Sequence, residues 1–563
     1  MHKGITSRYR LDCERGGNAT QRVSSIKDLI GRHGLDLALL AFAFTVYVAL
    51  AATLAKGYFV WDDTDFRYAA THLWPKSLIS AAPWAGIRYR PSVLLFFKGL
   101  SAFALNVPAV WYLFNPTVHI LNGILFIRLF ELSKGWPRAL VCFLLLPALW
   151  GTLLFISDVG DVMGLFFFLS TALLFVKSEK KGVAFISLIT AFFAYASKET
   201  YFLLPLFLFL VLKYRERSFG KRERFFLCGH VIVLLAFLLV RALVIGDIMG
   251  GYGGVAAVPS MLAKGVVAIP LFLKGVLSFF VVRNVGVPIP GLLFLIFCLF
   301  SLPIAFGHRK KGVLAVLMFL LALVPSSFLL GEVVIDPAAP VGFCAARFLY
   351  FPLFFLVLLV SFIARKLPET LKYALLVVFI GWSAFPNYFM TSSFRDYSLQ
   401  RFKGEVDHIV EVARAHQDRV AFIKPFAGDL DDMFIVYNRL LDAKLRRPSF
   451  GRWDIDHCDR VFLLDKGCRE VSGPFVKHVF TLSPSDALTP DVPFNWSPPY
   501  SGILQFFYKE IPQFPIASSY AKPGGLTLGA GLYRMSPPEI CWRVVDIEGK
   551  VVSQRVCIKK AHR

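Results

Sequence analysis

The chain has 563 residues, of which 56% are hydrophobic and only 18% charged, with 61 Lys and Arg against 38 Asp and Glu. A soluble protein carries about a quarter charged residues, so a wholly soluble chain is excluded and a polytopic membrane protein is expected. The net charge of +23 does not point to nucleic acid, because residues 395–563 hold 24 basic and 20 acidic residues and the remaining +19 sits in short basic clusters between apolar runs, the positive-inside pattern.

Residues 1–34 carry seven Lys or Arg and three acids, which assigns them to a basic cytoplasmic tail. The apolar run from about 35 to 56 exceeds a signal-peptide h-region and reads as an uncleaved anchor, although Ala49 and Ala51 form an Ala-x-Ala. It leads outward, so "WDDTDF" (61–66) opens a first extracytoplasmic loop, 57–109. Within that loop "RPSVLLFFKGLSAFALN" (90–106) is apolar but short, with Lys98 at its middle, and fits a helix lying in the interface.

Further apolar runs follow near 110–132, 139–157, 160–176, 183–197, 200–212, 225–246, 290–306, 313–330, 348–364 and 373–391. The clusters Lys134/Arg138, Lys177/Lys180/Lys181, "KYRERSFGKRER" (213–224), "HRKK" (308–311) and Arg365/Lys366/Lys372 all fall inside. This holds provided "MLAKGVVAIPLFLKGVLSFFVVR" (261–283), with Lys264, Pro270 and Lys274, is interfacial or re-entrant. The expected fold is an α-helical polytopic membrane protein with about eleven transmembrane helices over 35–394.

From 395 the apolar runs shorten and alternate, as in "RVAFIKPF" and "RVFLLDKG", and Pro and Gly become denser. Residues 395–563 read as an extracytoplasmic soluble domain of mixed α/β class. It holds Cys458, Cys468, Cys541 and Cys557. An even number outside the cell suits disulfides, and in "CWRVVDIEGKVVSQRVC" two strand-like runs flank "DIEGK", so that Cys541 and Cys557 face each other across a hairpin; unpaired thiols are the alternative.

The topology sorts the polar residues. Asp62, Asp63, Asp65, Arg67, Arg88, Arg90, Asp158, Asp161, Lys198, Glu199, Glu332, Asp336 and Arg347 fall on the outer side, and His119 and Asn122 sit one turn apart about a third of the way into the second long run. Ionisable groups at a membrane boundary are costly and face a cavity or one another. Both signs collected from several loops suit an anionic, lipid-linked substrate, with cations on the phosphate and a carboxylate for proton chemistry.

"WDDTDFRYA", "YRPSVLLFF", "FNPTVHILNGILF", "SDVGDVMGLFFFL", "ASKETYFLLPL" and "ARFLYFP", in this order over roughly 55–395, resemble GT-C superfamily glycosyltransferases. The wording is most similar to eukaryotic O-mannosyltransferases with TPR tails, and the first two blocks to bacterial aminoarabinose and related lipid-linked-sugar transferases. The tail lacks a TPR repeat, so the protein acceptor of the former does not carry over. The resemblance implies transfer of a sugar from a polyprenyl-phosphate carrier to an acceptor hydroxyl on the outer face, usually with inversion. It implies Asp62 as general base, with Asp63 orienting the loop or acceptor or sharing a metal. Arg90 and Arg88 match the positions that bind the carrier phosphate, and Arg347 matches a second such arginine. Asp158 and Asp161 fall where the family has an acidic or Arg-Asp pair, with Val159-Gly160 in place of the usual arginine. Lys198-Glu199 matches the family's "KE", which implies Lys198 as a further donor-phosphate ligand and Glu199 as a substrate-site residue.

Plainer readings stand beside these. Asp62 and Asp63 also suit a solvated capping turn, and Asp65 a loop-structure role. Arg90 and Arg347 suit headgroup-snorkelling arginines, Lys198-Glu199 an internal ion pair, and His119 and Asn122 interhelical hydrogen bonds. Carboxylates invite Mg²⁺ or Mn²⁺, but no spacing demands a metal. The expected partners are the lipid bilayer, a polyprenyl-phosphate-linked sugar and a protein, glycan or lipid acceptor, in a bacterial inner membrane or an ER membrane. A glycan ligase or polymerase, or a lipid-carrier flippase, are the alternatives. A flippase is expected to show an internal repeat or broken mid-membrane helices, neither of which is legible here.

Overall fold

A computed structural model of the protein describes residues 19–58, 89–104, 108–132, 135–177, 181–245, 309–330, 347–365 and 367–399. It adds single positions between 63 and 78 and at 411 and 415, and ten strands between 420 and 559. The helices are α1 (Ala19–Leu54), α2 (Pro91–Ala104), α3 (Pro108–Leu129), α4 (Trp136–Leu145), α5 (Pro147–Leu153), α6 (Val159–Lys177), α7 (Lys181–Ser197), α8 (Leu204–Tyr214), α9 (Lys221–Ile245), α10 (Arg309–Leu330), α11 (Tyr350–Ala364) and α12 (Glu369–Tyr397). Short 3-10 turns cover Glu199–Leu203 and Arg347–Leu349.

The membrane character follows from how these helices distribute apolar side chains. In α1, Ala43, Tyr47, Leu50 and Leu54 are buried while Phe42, Phe44 and Val48 are exposed, so one stripe at helical spacing meets the bundle and the rest is left apolar for lipid. α9 leaves Phe225, Ile232, Leu235, Leu239 and Leu243 uncovered. Five helical stretches are long and apolar enough to cross a membrane, Gly34–Leu54, Ala109–Leu129, Val159–Lys177, Lys221–Val244 and Glu369–Tyr397, or six if the bent pair α4–α5 is one span. The chain is an integral, multi-pass helical membrane protein.

The expected count of eleven spans is corrected to five or six among the described residues. The run at 183–197 forms the 17-residue α7 and the run at 348–364 the 15-residue α11, short of the roughly 20 residues a crossing needs. The run at 200–212 divides between a 3-10 turn and the 11-residue α8. The run at 139–157 is not one helix: it bends by 58° between α4 and α5, because Pro147 has no N–H to continue the ladder. The run at 290–306, the segment 261–283 and residues 1–18 lie outside the described residues.

Aromatic rings fill the centre. Phe143 of α4 stacks on Phe354 of α11 at 4.7 Å, and Phe126 of α3 packs edge-on to both. Phe207 of α8 and Phe168 of α6 both close on Phe351. Ion pairs gather the basic clusters at one end. Arg138 of α4 meets Asp36 of α1 at 2.8 Å and Glu369 of α12 at 2.7 Å. Arg215 meets Glu131 at 2.7 Å, and Lys311 meets Glu216 at 3.4 Å, which sets "HRKK" beside "KYRERSFGKRER".

The tail expectation is also corrected. Past residue 399 every element with described bounds is a strand, and the helical positions described there are Glu411 and Ala415 alone, so mixed α/β does not describe what is placed there. β1 (Val420–Ile423), β2 (Ser449–Phe450), β3 (Arg460–Leu464) and β4 (Cys468–Glu470) form a sheet in the order β2-β1-β3-β4. β6 (Gly502–Tyr508), β7 (Pro515–Ala521), β9 (Glu539–Val545) and β10 (Val556–Lys559) form an antiparallel sheet in the order β10-β9-β6-β7. β5 (Pro493–Phe494) pairs with β8 (Leu526–Thr527). The β9–β10 register sets Cys541 opposite Cys557. Cys468 begins β4 opposite Leu464, and Cys458 lies outside the described residues.

Candidate functional site

The first loop reaches the bundle through Asp63, which is fully buried. Its Oδ1 accepts the Ser157 backbone N–H at 2.6 Å. Ser157 precedes α6, so this carboxyl holds the turn that leads into that helix. Burial pushes the Asp63 carboxyl up to about 7, against the Ile156 and Ser157 donors that favour its ionised form. Arg67 is buried in the same loop. Asp62, Asp65 and Arg88 lie outside the described residues.

The α6 start carries the two acids of "SDVGDVMG". The Asp158 carbonyl accepts the amides of Asp161 and Val162, and acids suit the positive end of a helix dipole. Asp158 Oδ1 pairs with Arg347 at 3.4 Å. One turn on, Asp161 Oδ2 is ion-paired with Lys198, and the Asp161 carbonyl accepts the Tyr201 hydroxyl. Gly160, between the acids, and Gly164, beyond them, permit this approach. A Cβ on Gly160 would stand 2.9 Å from the Ser197 carbonyl oxygen, and one on Gly164 would stand 2.1 Å from the Tyr201 ring. The separation of the acids by Val159-Gly160 thus has a steric use: the 197–201 segment lies directly on α6.

That segment brings Glu199 between two arginines. Arg90 Nη2 donates to Glu199 Oε2 at 3.0 Å, and Arg241 Nη2 lies 2.9 Å from Oε1. Arg241 also donates to the Tyr89 carbonyl at 3.4 Å and lies over the Phe202 ring. Burial alone raises the Glu199 carboxyl, but Arg90 and Arg241 together outweigh it and hold the group down at about 2. Lys198 and Arg347 both lie against the Phe348 ring, 5.5 and 5.2 Å from its centre. Ion pairs and ring contacts therefore link Asp158, Arg347, Lys198 and Asp161, and Glu199, next to Lys198 in the chain, carries Arg90 and Arg241, while Asp63 is held on the Ser157 amide beside Asp158.

His119 and Asn122 lie deeper, on α3. His119 Nδ1 accepts from the Tyr350 hydroxyl at 2.9 Å and Nε2 donates to the Phe143 carbonyl at 2.7 Å; Asn122 Nδ2 donates to the Val162 carbonyl at 2.8 Å and to the Tyr350 hydroxyl at 3.2 Å. The Phe143 bond belongs to a set. The break before Pro147 frees the carbonyls of Phe143, Leu144 and Leu145, and these accept from His119, from Trp150 Nε1 at 2.8 Å and from Asn387 Nδ2 at 2.7 Å. Backbone at membrane depth must be satisfied internally, and three side chains from α3, α5 and α12 do so.

No protein-family model matches the chain, and a search of curated proteins finds no match either. The site is thus read from its own chemistry. Among the described residues no group of three or more His, Cys, Asp or Glu could hold a metal ion, and Asp63 Oδ1 is committed to an amide. Sequence reasoning missed Arg241, Tyr201 and Ser157. Arg241 carried a usable signal, being a lone cation inside "VIVLLAFLLVRALVI", where an ionisable residue marks function by default. Tyr201 and Ser157 had none.

Proposed function

We propose that the protein is a GT-C-type membrane glycosyltransferase that moves a sugar from a polyprenyl-phosphate carrier to an acceptor hydroxyl on the extracytoplasmic side. The observation that carries this reading is the group of neighbouring ion pairs, Arg90 with Glu199, Lys198 with Asp161 and Arg347 with Asp158, beside the buried Asp63 of the first loop. Guanidinium groups at one locus bind a phosphate leaving group and stabilise the charge that grows on it. In this reading Asp62 takes the proton from the acceptor hydroxyl. Asp63, tied to the Ser157 amide, positions the loop that carries Asp62 against α6. A ligase or polymerase acting on a lipid-linked glycan uses the same phosphate site.

The bent helix α4–α5 favours carrier transport on its face, since broken helices line transport sites. Each freed carbonyl of α4 nevertheless already accepts from a protein side chain, which speaks against a substrate site there. The test is mass spectrometry of lipid extracts from cells with and without the gene. Polyprenyl-phosphate sugar accumulates in the deletion and is cleared by the wild-type gene but not by Asp62→Asn. Unchanged lipid-linked sugars, or full rescue by Asp62→Asn, overturns the reading.

A further inference from the structure

Glu199 is the most accessible member of its triad. Its side chain is 18% exposed against 8% for Arg90 and 1% for Arg241. One carboxylate bridges two guanidinium groups. Glu199 also begins a five-residue 3-10 turn between α7 and α8, whereas Arg241 projects from within the 25-residue α9 and is braced by the Tyr89 carbonyl and the Phe202 ring. Of the two contacts, the one to Arg241 is the anchored one.

We propose that Glu199 is an exchangeable counter-ion, which yields Arg90 to the phosphate of a lipid-linked ligand while Arg241 retains the carboxylate. The inference rests on the proposed function for the identity of the ligand, and adds Arg241 as a positioning residue and Glu199 as a competitor for the phosphate. Exchange of one anion for another at Arg90 keeps a charge-assisted bond on the guanidinium throughout. Arg241 meanwhile keeps Glu199 from being stranded as a buried, unpaired charge.

The experiment measures retention of undecaprenyl phosphate, with undecaprenol as the neutral control, by the purified full-length chain in nanodiscs, read by native mass spectrometry. Thermal unfolding of each variant is recorded alongside. Wild type retains the phosphate over the alcohol; equal retention of both overturns the proposed function and this inference with it. With that preference present, Glu199→Gln binds undecaprenyl phosphate about tenfold tighter and Arg241→Gln about tenfold weaker. The double variant binds about as tightly as Glu199→Gln, because Arg241 acts only through Glu199, a non-additivity expected of residues in one network.

A merely structural triad predicts something else: both single variants lose stability and both bind more weakly. Unchanged or weaker binding by Glu199→Gln therefore overturns the inference while leaving the wild-type preference intact. If Glu199→Gln does not fold, Glu199→Asp, too short to span both arginines, carries the same expectation of tighter binding and the same refutation. Displacement of the lipid by an equal concentration of inorganic phosphate assigns the site to the free anion and overturns the lipid-linked version.

Discussion

Replacing Asp63 by asparagine separates its charge from its hydrogen bond. The amide oxygen of the introduced side chain still accepts from the Ser157 N–H, but it cannot ionise. In the wild type, burial raises the Asp63 carboxyl from 3.8 to about 7. That difference of about three units corresponds to roughly 4 kcal/mol between the protonated and ionised folded forms. The folded value lies above the unfolded one, so the folded chain holds the extra proton between about pH 4 and pH 7. The stability this contributes is complete below about pH 4 and is lost as the pH rises through about 7.

The assay is intrinsic-fluorescence thermal unfolding of the purified protein in detergent, at about pH 5 and about pH 8. Unfolding of such a protein is irreversible, so the quantity compared is the shift between variants at one scan rate. Wild type loses stability on going to the higher pH. Asp63→Asn does not, and it exceeds wild type at the higher pH by on the order of 5 °C. An Asp63→Asn profile that falls with pH as steeply as wild type refutes the assignment of this titration to Asp63. A variant less stable than wild type at both pH values refutes the claim that the Ser157 bond survives the exchange.

Gly164→Ala drives a methyl into the Tyr201 ring; it is expected to cost about 1–3 kcal/mol, read as a lowered unfolding midpoint, and the same substitution made in a Tyr201→Ala background should cost much less. Asn387→Leu leaves the Leu145 carbonyl unsatisfied beside the helix break, at a cost of about 1–3 kcal/mol; an unchanged midpoint speaks against the role given to that bond. Removing one partner of the buried Lys198–Asp161 pair, by Lys198→Met or Asp161→Leu, should cost about 3–5 kcal/mol, and the double apolar variant less than either single one. For the tail, the register of Cys541 opposite Cys557 predicts a linked peptide in a non-reducing digest; free thiols at both positions rule the bridge out.

Apolar patterning made the membrane class legible, because lipid-facing helices such as α1 and α9 cannot be written in any other composition. It did not make the span count legible. Hydropathy reads "LVCFLLLPALWG" as continuous, yet Pro147 divides it, and the sequence gives no sign that His119, Trp150 and Asn387 stand ready to take the carbonyls it frees. In the site, the acids and Lys198-Glu199 were visible as motifs, but their pairing was not. Asp161 and Lys198 lie 37 residues apart in the chain, and their contact depends on Gly160 and Gly164, whose value is the absence of a side chain. The alternation in "RVAFIKPF" and "RVFLLDKG" marks β1 and β3, while their partners are short strands such as Ser449–Phe450, too brief to leave a period.

The burial of this network bears on what the network is for. Taking ions out of water costs several kcal/mol each, and well-packed apolar replacements of a buried pair are often neutral or stabilising. Stability alone thus gives no reason to bury Lys198 with Asp161 or to enclose Arg241 beside Glu199. At the opposite end Glu369 and Glu131 are 61% and 59% exposed, so those contacts remain partly in water, whereas Asp36 is buried beside Arg138. A bundle that takes groups of both signs out of water on neighbouring elements holds polarised side chains fixed in place. Fixed charge in a water-poor setting is what stabilises a developing anion without reorganisation.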